Sequence, residues 1–263
     1  MIHPLDQKSS VILPPEILDK ILEQIPESRE RGRTLTACAL AATWWTEPSR
    51  RHIFASVEID ESNYRQWVDG VVLSRSKDRL LEHVRWLWHS RGPGLGIRYQ
   101  MRSLAQDAGG YLSGLRNLHD LALSGITVEH ISEGEFHTCF SAFRETLTCL
   151  ELKSFTTSFS AFVTLIGYFP NITTLRLRSL TLEPDGGPIP SLSRPLRGTF
   201  NVYEIRANFL EFLVRFSQLD MEYEELVIDS FSVLEARGFA ETALRISPST
   251  VKVLRLMTDL VCK

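Results

Sequence analysis

The stretch EHISEGEFHTC gathers His130, Glu133, Glu135, His137 and Cys139 within ten residues, an imidazole, carboxylate and thiol set of the kind that ligates zinc. Zinc sites draw on longer Cys-to-Cys and His-to-His intervals than His-x-Cys, so these residues are read as a loop and a helix start, with no metal. The glycines of RGPGLGIR suggest a phosphate cradle, but Pro93 removes one of the amide donors such a cradle needs. A surface turn is expected there. Nucleophile elbows, phosphate-binding P-loops, H-E-x-x-H and G-x-G-x-x-G do not occur in the sequence. Cys38, Cys139, Cys149 and Cys262 form no C-x-x-C pair, so neither a thiol redox couple nor disulfides are expected. The chain is therefore read as non-enzymatic and free of cofactors; an enzyme working in a concavity of the fold is the alternative.

The chain has 263 residues, 29 basic and 32 acidic side chains, and 43% hydrophobic residues. That is enough apolar material for one large domain, or for a small one followed by a larger one. A net charge of −3 gives no long-range pull toward nucleic acid or an anionic membrane. No apolar run approaches the roughly 18 residues that cross a bilayer, and MIHPLDQKSS is unlike a secretory signal. Cytosol or nucleus is the expected compartment, where the Asn171-Ile172-Thr173 acceptor goes unglycosylated.

The elements that must carry any binding function begin with LPPEILDKILEQIP. Ile17, Leu18, Ile21, Leu22 and Ile25 fall within about 140° of a helical wheel, opposite Asp19, Lys20, Glu23 and Gln24. Proline suits a first helical turn, Glu16 complements the dipole and Pro26 forces a stop. So short a helix is unstable alone and must rest its apolar stripe on something. ESRERGR reads as a solvated connection, Thr34 as the N-cap of a second helix over LTACALAATWW, and EPSRRHIF as a third, with Pro48 in its first turn.

These residues resemble an F-box of the kind that opens many fungal F-box proteins: L-P-x-E-[IL], then I-[LF], a T-L-x-x-C helix, a tryptophan, and R-x-x-[LI]-F. Leu13, Pro14, Glu16, Ile17, Ile21, Leu22, Leu35, Cys38, Leu40, Trp45 and Phe54 stand at pattern positions. Ala41-Ala42-Thr43-Trp44-Trp45 departs from the usual V-C-[RK]-x-W. The resemblance implies that the first ten of those residues, Leu13 to Trp45, dock the Skp adaptor of a cullin-RING ubiquitin ligase. Four or five side chains buried on docking, at roughly 1.5 to 3 kcal/mol each, give a gross gain on the order of 10 kcal/mol, much of it offset by association costs. The alternative is a bundle packed only on its own chain.

Beyond Phe54 a rhythm of apolar-x-x-apolar-x-apolar recurs at FASVEI, VRWLWH, LHDLAL, LTCLEL, ITTLRL, FNVYEI, YEELVI and VKVLRL. Its fourth residues, Val57, Leu87, Leu121, Leu150, Leu175, Tyr203, Leu226 and Leu254, are 30, 34, 29, 25, 28, 23 and 28 residues apart. Helical spacing lies between, at SNYRQWVDGVV, FHTCFSAFRETL, SAFVTLIGYF, ANFLEFLVRF and VLEARGFAETAL. Strands too short to bury themselves share a core when stacked, the logic of leucine-rich repeats, and this part resembles the degenerate leucine-rich array of fungal F-box proteins.

The expected fold is an α/β solenoid: a disordered tail over 1–10, an F-box-like helical bundle over 11–54, and a leucine-rich-repeat-like domain over 55–263 with parallel strands on the concave side and helices on the convex side. An ordinary α/β sheet is the alternative. Residues flanking the inward leucines would line the concave side and meet a protein substrate: Trp86, Trp88, Glu151, Lys153, Arg176, Arg178, Glu204, Arg206, Asp229 and Arg255. An acidic or phosphorylated segment suits the arginines, although Glu151, Glu204 and Asp229 are expected to neutralise them in cross-strand pairs. EPDGGPIPSLSRPLRG, Glu183 to Gly198, reads as an exposed loop. The function implied is substrate recognition for a Skp-cullin-F-box ligase, the alternative being an interaction scaffold whose F-box has drifted.

Overall fold

A computed structural model describes residues 13–26, 30–90, 99–100, 111–128, 133–183, 192, 194–203, 215, 219, 221–230, 241 and 252–258. The tail expected over 1–10 lies outside them, as do Glu204 and Arg206 and the segments ANFLEFLVRF and VLEARGFAETAL, apart from single positions. The chain divides into two compact units, Met1–Ser56 and Val57–Lys263. Among the described residues no helix is long and apolar enough to cross a membrane.

Among its described residues the first unit holds three helices, α1 (Pro15–Glu23), α2 (Arg31–Ala41) and α3 (Thr43–Phe54). Pro14 caps α1, and its carbonyl accepts the amides of Ile17 and Leu18 at 3.0 and 3.2 Å. Leu18 and Leu22, one turn apart on α1, are buried with Leu35 of α2 and with Pro48 and Ser49 of α3. Asp19 ties α1 to α3, its carboxylate oxygens 3.5 Å from Arg51 Nη1 and His52 Nε2.

Two expectations shift here. Thr34 is not a cap: α2 starts three residues earlier, and the Thr34 hydroxyl donates to the Glu30 carbonyl at 3.0 Å, the back-bond by which threonine is accommodated inside a helix. Arg31 to Arg33 thus belong to the helix rather than to the connection. Pro48 lies inside α3 instead of opening it. Ala42, extended at φ −159° and ψ 151°, breaks the chain between α2 and α3, so α3 begins at Thr43 and spans the tryptophans.

The second unit is an α/β fold built on parallel sheets. An eight-stranded sheet runs in the order β1 (Ser56–Ile59), β2 (Trp86–Ser90), β4 (Asp120–Ser124), β6 (Cys149–Lys153), β8 (Thr174–Arg178), β10 (Leu196–Tyr203), β11 (Met221–Ser230), β12 (Val253–Thr258). A smaller sheet takes β3 (Tyr99–Gln100), β5 (Ile126–Val128), β7 (Thr156–Ser158) and β9 (Thr181–Glu183). From β2 to β12, and throughout the small sheet, every neighbouring pair is parallel.

Register aligns Leu87, Leu121, Leu150, Leu175, Phe200, Leu226 and Leu254 in one row across the large sheet. The sixth member is Phe200, three residues before the expected Tyr203. Phe200 and Val202 are buried, and Tyr203 falls on the opposite face because it is an odd number of residues from Phe200. Leu196–Gly198, expected in a loop, begin β10, and Glu183 ends β9.

One corner recurs between the sheets. Gly125, Ser154 and Ser179, each immediately after a strand of the large sheet, have φ of 70°, 47° and 53°. Each turns the chain toward the next strand of the small sheet and donates its amide to the corresponding strand end one layer on: to the carbonyls of Lys153, Arg178 and Tyr203 at 3.0, 2.8 and 3.3 Å. At the other ends of the strands the Arg85, His119 and Thr148 carbonyls each accept two amides of the following layer, at 2.8 to 3.0 Å. Backbone groups that a short strand would leave unpaired are thereby satisfied.

The helix Phe159–Tyr168 is N-capped by Ser158, whose Oγ accepts from the Ala161 amide at 3.2 Å, and it buries Phe159, Phe162, Val163, Leu165 and Ile166. The helix Glu133–Phe140 continues into a 3-10 turn, Ser141–Phe143. Phe140, Phe143, Tyr168 and Phe169 pack their rings 5.4 to 6.5 Å apart. Arg144 lies 5.2 Å over the Tyr168 ring and donates Nε to the Tyr168 carbonyl.

Candidate functional site

Of the histidines, glutamates and cysteine of EHISEGEFHTC, the described side chains are those of His137 and Cys139. His130 lies outside the described residues. His137 is exposed, with Nδ1 3.2 Å from the Tyr168 hydroxyl, while Cys139 is buried. Among the described residues no three His, Cys, Asp or Glu side chains stand together as ligands.

On the first unit the amphipathic stripe is split. Leu18, Leu22 and Leu35 form its interior, whereas Ile17, Ile21 and Leu40 are 43%, 42% and 82% exposed. The division follows from helix geometry: Ile17 and Ile21 are one residue, or 100°, behind Leu18 and Leu22. Of the ten residues expected to bind an adaptor, Pro14, Glu16, Ile17, Ile21 and Leu40 are exposed, and Leu13, Cys38 and Trp45 half-buried. Leu22 and Leu35 lie beneath them. Trp44 and Trp45 pack 5.4 Å apart.

The second surface is the outer face of the large sheet. Register aligns Trp88, Ala122, Glu151, Arg176, Asn201, Val227 and Arg255 in one row, and Ser90, Ser124, Lys153, Arg178, Tyr203 and Asp229 in the next. All the described members of the expected substrate surface except Trp86 fall in these two rows; Trp86 is in a third, with Asp120 and Cys149. Trp86 and Trp88 meet edge to face at 6.4 Å. Lys153 reaches from β6 across β4, two strand spacings or about 9.6 Å, to place Nζ 5.6 Å over the Trp88 ring. The small residues Ala122 and Ser124 beneath it leave that path open. Such cation–π contacts stabilise by about 0.5 to 1 kcal/mol when exposed.

Arg176 Nη1 lies 3.8 Å from Glu151 Oε2, and Arg255 Nε lies 3.0 Å from Glu225 Oε1. Glu225 stands two residues before Val227, the residue that Arg255 pairs with across β11 and β12. Arg178 is exposed. Asn201 Oδ1 is buried without a hydrogen-bond partner among the described residues. Asp120, Ala122, Ser124 and Asn201 are not among the residues expected from the sequence, although stepping by two from the residues beside Leu121 and Phe200 reaches them.

Cys149, in the row of Trp86, is the one thiol on this face among the described residues. Burial pushes it up to about 12, partly opposed by the Arg176 charge and assisted by its hydrogen bond to Asp120. Its folded value thus exceeds the ordinary 9.0, so the folded state holds the proton more tightly. That contribution to stability is complete below pH 9 and is lost as pH rises toward 12. Urea unfolding at pH 8 and pH 10.5 should show a larger loss of stability for the wild type than for Cys149→Ala. Labelling of the native protein by iodoacetamide at pH 8 should leave Cys149 unmodified.

No family model matches the sequence, and a search of curated proteins returns no similar one.

Proposed function

We propose that the protein is a substrate-recognition adaptor of a Skp-cullin-F-box type ubiquitin ligase. Its first unit is an F-box-like bundle that docks the Skp adaptor, and its second is a leucine-rich-repeat-like solenoid that holds a protein substrate. The chain does no chemistry of its own, and the expected compartment is cytosol or nucleus. The observation that carries the reading is the exposure of Ile17, Ile21 and Leu40 on a proline-bounded bundle whose interior is already filled by Leu18, Leu22 and Leu35. Exposed aliphatic residues on so small a unit suit completion by a second protein. The solenoid reading is supported by parallel strands that follow one another in sequence order with one leucine row running through them. Trp86 and Trp88 are the aromatic anchors suited to a substrate.

Co-expression with a Skp adaptor, followed by size-exclusion chromatography at micromolar concentration, tests the reading. Co-elution is expected for the wild type and its loss, at least 100-fold in affinity, for Ile17→Asp with Ile21→Asp. Both positions are exposed in the chain, so the variant should melt like the wild type. Wild-type protein that fails to co-elute would leave the drifted scaffold, and a variant that still co-elutes would remove the proposed surface.

A further inference from the structure

A groove of about 780 Å³ opens beside the N-terminal ends of β6, β8 and β10, apart from both surfaces described above. It exists because β10 overshoots its neighbour. Thr199 pairs with Thr174, the first residue of β8, yet β10 begins three residues earlier at Leu196. Arg194, Pro195 and Arg197 consequently line the groove from the β10 side, while Thr146, Thr148, Asn171 and Thr173 line it from the β6 and β8 side.

The hydrogen-bonding character of the two sides is opposite. Thr146 Oγ1 donates to the Leu118 carbonyl at 2.8 Å, Thr148 Oγ1 to that of His119 at 3.2 Å, and Thr173 Oγ1 to that of Thr148 at 3.3 Å. A hydroxyl has one proton, so each has only lone pairs left to offer. His119, also on the lining, has Nδ1 2.7 Å from the Asn117 carbonyl. A carbonyl can only accept, so Nδ1 is the donor in that bond. This side therefore suits a ligand rich in N–H donors.

The β10 side is cationic. Arg197 is held by Glu222 at 2.7 Å, whereas Arg194 has no ion-pair partner among the described residues. One uncommitted guanidinium, with the acidic residue Glu145 also on the lining, suits a single negative charge better than a dianionic phosphate. Ile172 and Pro195 add apolar surface.

We propose that this groove binds the end of a peptide chain, with the free α-carboxylate on Arg194, main-chain N–H groups on the threonine oxygens, and an apolar terminal side chain against Ile172 and Pro195. Paired hydrogen bonds from guanidinium to carboxylate supply the orientation. The site is independent of adaptor docking.

Fluorescence anisotropy of fluorescein-labelled Ala-Ala-Ala-Leu, titrated with the full chain, tests it. The peptide with a free carboxylate should bind saturably, and its C-terminal amide at least tenfold more weakly. Arg194→Ala, at an exposed position, should reduce the free acid to the level of the amide, and Thr173→Val should weaken it three- to tenfold. Equal binding of acid and amide by the wild type would overturn the proposal, as would no saturable binding up to 1 mM protein (about 4 kcal/mol of affinity). An Arg194→Ala effect smaller than twofold in a variant with unchanged circular dichroism would overturn it as well.

Discussion

Gly198→Ala is expected to destabilise the second unit by about 3 kcal/mol or more. Gly198 has φ of +104°, a conformation that L side chains rarely adopt, and a Cβ built there would penetrate the Thr173 carbonyl group. That carbonyl cannot retreat freely, since it already accepts the Thr199 amide at 2.8 Å. Here, too, the pairing of β10 with β11 shifts register, with Tyr223 opposite the glycine stacked on Phe200 at 5.0 Å. A side chain at 198 would thus strain the backbone, push on a hydrogen bond and disturb the β10–β11 stack together. Urea unfolding measures the effect, with Gly134→Ala as the control. Gly134 is exposed in a helix, and a Cβ added there would meet nothing within 4 Å, so alanine there should be neutral to stabilising by up to about 1 kcal/mol. A Gly198→Ala midpoint equal to that of the wild type would refute the argument.

Phe143→Ala should cost about 3 to 5 kcal/mol. Its side chain is fully buried, stacked on Phe169 at 6.0 Å and 11° and edge-on to Phe140 at 5.8 Å and 72°. Alanine would remove the ring on which both neighbours rest, and the 3-10 turn that carries Phe143 is fastened by the Thr146 and Leu147 amides to the Phe143 carbonyl, at 3.2 and 3.0 Å. The surroundings therefore have little freedom to collapse into the space. Phe143→Leu, which keeps most of the apolar volume, should lose clearly less. Chemical denaturation of the three proteins should show shifted midpoints with similar denaturant slopes; a loss below 1 kcal/mol for alanine would count against the packing described.

The leucine rhythm makes much of the large sheet legible because Leu87, Leu121, Leu150 and Leu175 do one physical job at equivalent positions, and a buried row tolerates little else. The sixth strand is harder to place: Tyr203 fits the apolar spacing as well as Phe200 does, and sequence alone does not say where the pairing starts. The small sheet is not legible. ITV, TTS and TLE are three residues each, too short for a period, and their threonines resemble loop. Its clue is the corner before it: Gly125, Ser154 and Ser179 share a left-handed conformation, but serine adopts it so uncommonly that Ser154 and Ser179 pass as ordinary polar residues. In the first unit Thr34 looks like a cap because caps and back-bonded helical threonines use the same hydroxyl, and only the observed bond to Glu30 separates them. The pair Ile17 and Ile21 is visible on the wheel, whereas the split of the stripe into buried and exposed halves depends on where Leu35 packs.

The carbonyls of Arg85, His119 and Thr148 each grip two amides of the next layer, and the strands follow one another in chain order. Among the described strands, each layer from β2 to β12 is hydrogen-bonded to the one before it and the one after it in the chain, as the teeth of a zipper are. Contacts between neighbouring layers therefore join parts of the chain a few tens of residues apart, which keeps the loops to be closed short. The layers of β4 and β6 are the ones held by such a carbonyl on both sides.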